Sequence, residues 1–80
     1  MQRISKQNIR GMQYHPIRMI LELEFEGDEN VYQYFDVPED IWYAMRNVAN
    51  IDIFYNTQIM YRYKMLCRAK GKKENTIKMY

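Results

Sequence analysis

The chain has 80 residues, a formal net charge of +2 and a single cysteine. That length holds one domain, and a domain so small buries only about 60% of the surface its unfolded chain exposes, so few apolar residues can stay out of the core. No apolar run approaches the roughly 18 residues of a membrane span, the opening Met1 to Lys6 lacks a signal-peptide apolar region, and a lone Cys67 excludes an internal disulfide and fits a reducing cytoplasm.

Ile9 to Tyr14 reads as a first strand with Met12 and Tyr14 on one face. His15-Pro16-Ile17-Arg18 ends it, because proline fixes φ and lacks an N–H. A four-residue loop there sets Tyr14 opposite Met19 and Met12 opposite Leu21. From Met19 to Phe35 the pattern is a β-hairpin. Leu21, Leu23 and Phe25 alternate with Glu22, Glu24 and Glu26, a period of two with one apolar and one acidic face. Gly27-Asp28-Glu29-Asn30 supplies turn residues, and Val31 to Phe35 is β-branched and aromatic again. An even loop sets Phe25 opposite Tyr32 and Leu23 opposite Tyr34, so both tyrosines join the apolar face. An odd loop would flip them.

Asp36 to Asp40 is a strand-to-helix junction: Pro38 suits a first helical turn, and Glu39 and Asp40 suit the positive end of the helix dipole. Ile41, Ala44, Met45, Val48 and Ala49 then form an apolar stripe at helical spacing, with Trp42 beside it and Tyr43 and Arg46 pointing away. The pattern stops near Asn50 to Asp52. Ile53 to Met60 fits a short second helix. From Tyr61 the period is two: Tyr61, Tyr63, Met65 and Cys67 alternate with Arg62, Lys64, Leu66 and Arg68. This reads as an extended segment or fourth strand, or as a helix continuing to Leu66. The expectation is one α+β domain over residues 1–68: a three-stranded antiparallel β-meander with one main helix packed on one face, then a short helix and an extended C-terminal segment. Residues 69–80 read as a flexible basic tail.

Charge is unevenly placed. Residues 1–20 carry four basic and no acidic side chains, residues 21–59 nine acidic and one basic, and residues 60–80 seven basic and one acidic. Basic ends point to an anionic partner or to pairing with the acidic middle of the same molecule.

Over about residues 5–68 the sequence resembles the KTSC family, a short domain found at the C-terminus of some lysyl-tRNA synthetases and also alone. The resemblance is carried by Ser5, Ile9, Tyr14, Leu21-Glu22-Leu23-Glu24-Phe25, Gly27, Tyr32-Gln33-Tyr34, Val37-Pro38-Glu39, Ile41, Ala49, Phe54-Tyr55-Asn56 and Ile59. Asp52 stands where members usually carry glycine and Asn50 where they often carry serine; both residue types tolerate left-handed backbone. The resemblance implies a module of unknown function with an association to RNA.

Tyr32 and Tyr34, the family's Tyr-x-Tyr, are expected to pack in the core, since paired aromatics on a half-buried sheet face usually do. Tyr61, Arg62, Tyr63, Lys64, Arg68, Lys70, Lys72 and Lys73 interleave rings with cations, which is what a nucleic-acid surface needs: charge for phosphates and rings for bases. His15 reads as a turn residue with no metal set around it, Cys67 as a small apolar residue, and the glutamate row as a solvated face. No catalytic residue, metal or cofactor is expected. Two readings follow: a non-enzymatic RNA-associated module, or a protein-interaction module or small virus- or plasmid-encoded inhibitor using its acidic face or an open sheet edge, with strand addition giving a homodimer.

Overall fold

The computed structural model describes residues 8–69. Four strands form one antiparallel sheet in the order β1-β2-β3-β4: β1 Ile9–His15, β2 Ile20–Phe25, β3 Asn30–Tyr34 and β4 Met65–Ala69. Between β3 and β4 lie α1 (Glu39–Asn47) and α2 (Ile51–Phe54), and α2 runs directly into a π-helical turn at Tyr55–Ile59. The expected three-stranded meander with one main helix is thereby corrected to a four-stranded sheet with two helices. The extended segment becomes β4 because Met65 and Cys67 alternate with Leu66 and Arg68 at the free edge of β3. Phe35 N–H opens that ladder by donating to the Lys64 carbonyl at 3.0 Å.

The face assignment from period two holds, but both registers move by two residues. Tyr14 pairs with Leu21 and Met12 with Leu23; Leu23 pairs with Tyr32 and Leu21 with Tyr34. A two-residue shift leaves every side chain on its face, where a one-residue slip would not. The shifts follow from the loops. Pro16 to Met19 closes the first, with Met19 at φ 57° and out of the strand. Glu26 to Glu29 closes the second, where Gly27 holds φ 78°, a backbone region open to glycine at little cost.

The core is Leu21, Leu23, Phe25, Tyr32, Tyr34, Val37, Met45, Tyr55 and Ile59, with Ile41, Trp42, Ile51, Phe54 and Tyr63 packed against it. Both helices therefore cover the apolar sheet face. The α1 stripe is shorter than its sequence pattern: Met45 is buried, Ile41 half-buried, and Ala44 and Ala49 exposed. Val48 is extended (φ −79°, ψ 155°) and ends α1, because Asn50 caps α2 instead. Its side chain accepts from Ile53 N–H at 3.0 Å, which requires a non-helical Asn50 at φ −126°. The left-handed geometry expected at Asn50 and Asp52 is thus not used. Asp52 lies in α2, and its Oδ1 accepts the Ile9 N–H at 3.1 Å, tying the start of β1 to the helix layer.

Candidate nucleic-acid interface

The register sorts the sheet residues into cross-strand rows. On the helix-covered face, Tyr14, Leu21, Tyr34 and Met65 form one row and Met12, Leu23, Tyr32 and Cys67 the next. On the opposite face, uncovered among the described residues, the rows are Gln13–Glu22–Gln33–Leu66 and Gly11–Glu24–Val31–Arg68. Lys64, partnered with Phe35, shares the uncovered face with Leu66 and Arg68, since side chains two apart on a strand point the same way.

Tyr32 and Tyr34 are 5% and 3% exposed. Phe25 meets the Tyr32 ring edge-on at 5.4 Å between centroids, and Tyr55 meets the Tyr34 ring at 6.0 Å. Their hydroxyls are engaged as well: Tyr32 Oη donates to Asp28 Oδ2 at 2.5 Å, and Tyr34 Oη shares a hydrogen bond with Tyr55 Oη at 2.7 Å. Burial, and then the hydrogen bond to Tyr55, raise the Tyr34 phenol well above its ordinary range. No base can reach these rings without opening the core.

The basic segment divides differently from its sequence pattern. Tyr61 is 93% exposed, whereas Tyr63 is half-buried against the core. Arg62 is exposed, and its Nε donates to the Thr57 carbonyl at 3.1 Å. Lys64 and Arg68 are exposed at the β4 edge. Among the described residues Arg62, Lys64 and Arg68 have no acidic partner. Lys70, Lys72 and Lys73 lie outside the described residues. Tyr61 is held by a tight turn: Met60 at φ −62°, ψ 128° and Tyr61 at φ 68° place the Arg62 N–H 3.0 Å from the Ile59 carbonyl. That is a type II turn, whose third position favours glycine.

The glutamate row, expected to be solvated, is laterally bound. Arg10 pairs with Glu24 at 2.8 Å, Gln33 Nε2 donates to Glu22 Oε2 at 2.7 Å, and His15 Nε2 lies 3.4 Å from the same oxygen. The β1–β2 half of the uncovered face is therefore acidic but partly neutralised, while the β4 column is cationic around Leu66. Residue composition alone gave no sign of this division, because it depends on which strand sits beside which. Tyr14 and Trp42 were also missed as a pair: their rings stack at 5.5 Å, Arg46 lies 5.5 Å above the indole, and Tyr14 Oη donates to the Val37 carbonyl at 2.6 Å. Cys67 is exposed on β4. Among the described residues no three His, Cys, Asp or Glu side chains are placed to hold a metal, and no helix is long and apolar enough to cross a membrane.

A family description, the KTSC domain, matches residues 5–63. A solved structure, that of the KTSC domain protein YPO2434 from Yersinia pestis, is similar over 88% of this chain and 94% of its own, with 28% identity and a TM-score of 0.69. No curated protein matches the chain.

Proposed function

We propose that this chain, which belongs to the KTSC domain family, is a small non-enzymatic module that associates with single-stranded RNA through the segment leading into and along β4. The observation that carries this reading is the run of three exposed cations, Arg62, Lys64 and Arg68, without acidic partners among the described residues, that follows the almost fully exposed Tyr61 along the chain into β4. Cations supply the sequence-independent attraction to phosphates, and an exposed ring supplies a stacking surface. The left-handed backbone of Tyr61 supports the same reading, since strain of this kind collects at sites where a side chain must be presented. Lys70, Lys72 and Lys73 add charge to the same end of the chain. A reducing, cytoplasmic setting fits the exposed, unpaired Cys67.

Contact through the acidic face is less favoured, because Glu22 and Glu24 already engage Arg10 and Gln33.

Fluorescence anisotropy with labelled single- and double-stranded RNA at two salt concentrations tests the proposal. The expected result is binding that weakens with salt. For three phosphate contacts on a single strand, the triple variant Arg62→Ala, Lys64→Ala, Arg68→Ala lowers the log–log salt slope by about 2. Replacing Tyr61 by alanine weakens binding about tenfold if a base stacks there. Absence of salt-dependent binding by the full chain would overturn the reading.

A further inference from the structure

Among the described residues the sheet ends at β4, and all five residues of that strand, Met65–Ala69, are exposed. Met65 and Leu66 are 46% and 49% exposed. The strand has no proline, and its pairing with β3 runs without a register shift. The Phe35 N–H to Lys64 carbonyl bond fixes which backbone groups are spent on β3. In an antiparallel ladder alternate residues exchange both bonds with the partner, so Lys64, Leu66 and Arg68 face inward. The N–H and C=O groups of Met65 and Cys67 then face away from β3, with no strand beside them among the described residues.

We propose that β4 accepts an extended peptide as a fifth strand, and that the peptide carries carboxylates at alternate positions. Backbone addition of this kind draws its affinity from the ladder and its selectivity from alternate side chains. Met65 and Cys67 supply the ladder. Lys64 and Arg68 then occupy the non-hydrogen-bonded positions of the new pair, where opposed side chains come closest. Both are exposed cations without an acidic partner among the described residues. The facing positions of the peptide therefore take glutamate or aspartate on the uncovered side, and apolar residues over Met65 and Cys67 on the other.

A second copy of β4 is the wrong occupant. An antiparallel pair centred on Leu66 sets Lys64 against Arg68 twice, and one centred on Cys67 leaves both cations without a carboxylate. Like charges directly opposed destabilise a sheet pair. The inference does not depend on the RNA reading, although Lys64 and Arg68 would serve both ligands.

The test uses the full chain, labelled for amide detection by NMR, and two capped probe peptides: one alternating valine with glutamate, the other alternating valine with lysine. The expected result is slowed hydrogen exchange at the Met65 and Cys67 amides with the glutamate peptide alone. The double variant Lys64→Glu, Arg68→Glu exchanges the preference and responds to the lysine peptide. Cys67→Pro removes one outward N–H, a substitution that edge strands tolerate, and weakens glutamate-peptide binding about tenfold while the remaining sheet resonances persist. Equal response to both peptides, no response, or shifts confined to other residues would overturn the proposal. So would Met65 and Cys67 amides already protected without peptide: concentration-dependent protection identifies a second copy on the edge, and concentration-independent protection identifies the chain's own C-terminal residues.

Discussion

The buried pair Tyr34 and Tyr55 joins two rings and two hydroxyls inside the core. Their hydroxyls satisfy each other at 2.7 Å inside the core. Removing either one breaks this buried hydrogen bond, at a cost of about 1–3 kcal/mol. Tyr34→Phe and Tyr55→Phe should each lower the urea midpoint, and the double variant should cost less than the sum of the two, because both substitutions break the same bond. The same pair predicts alkaline sensitivity. Burial first, and the hydrogen bond to Tyr55 second, hold the Tyr34 phenol well above its ordinary pKa of about 10. The fold thus holds the proton that the unfolded chain releases, so this contribution is complete below about pH 10 and is lost as pH rises further. Urea denaturation from pH 9 upward checks this: the fall in stability should be shallower in Tyr34→Phe. Tyr61 is the opposite case. Its φ of 68° costs a non-glycine residue about 1–2 kcal/mol, partly offset in glycine by unfolded-state entropy. Tyr61→Gly should leave the melting temperature unchanged or raise it, while RNA anisotropy weakens. The core role of Tyr32 and Tyr34 was legible from their parity with Leu21 and Leu23. The separation of Tyr61 from Tyr63 was not, because a type II turn interrupts the alternation between them.

At the scale of elements, alternation fixed faces but not partners. Period two is insensitive to a two-residue shift, so Leu21, Leu23, Phe25, Tyr32 and Tyr34 were placed on one face while both hairpin registers were displaced. The helix boundary failed for a different reason. Val48 and Ala49 continue the apolar spacing of α1, but the cap at Asn50 takes the backbone out of the helix first. That cap has a testable weight. Asn50→Ala removes the bond to Ile53 N–H and should cost about 1 kcal/mol by chemical denaturation, with faster amide exchange across Ile53 to Tyr55. β4 was readable only as an alternation with a helical alternative. What decides it is the free edge of β3, a feature of the sheet and not of the segment itself.

At the scale of the whole molecule, three unequal charge blocks fold into a two-sided object. The acidic middle of the sequence supplies β2, whose glutamates are bound by Arg10 and Gln33, and the basic C-terminal stretch supplies the β4 margin. If RNA and an alternating acidic peptide both use Lys64 and Arg68, they exclude each other. Titrating the valine–glutamate peptide into a chain already bound to labelled RNA should release the RNA, and the valine–lysine peptide should not. The two margins of the sheet also differ. β1 pairs with β2 through a register shift between Ile9 and Gly11, with Arg10 as the extra residue, and such a bulge twists an edge away from further pairing. The β4 margin is therefore the regular one, and the β1 margin is interrupted at its Ile9 end. A peptide that adds at β4 is therefore expected at one copy per chain, a stoichiometry that calorimetric titration reads directly.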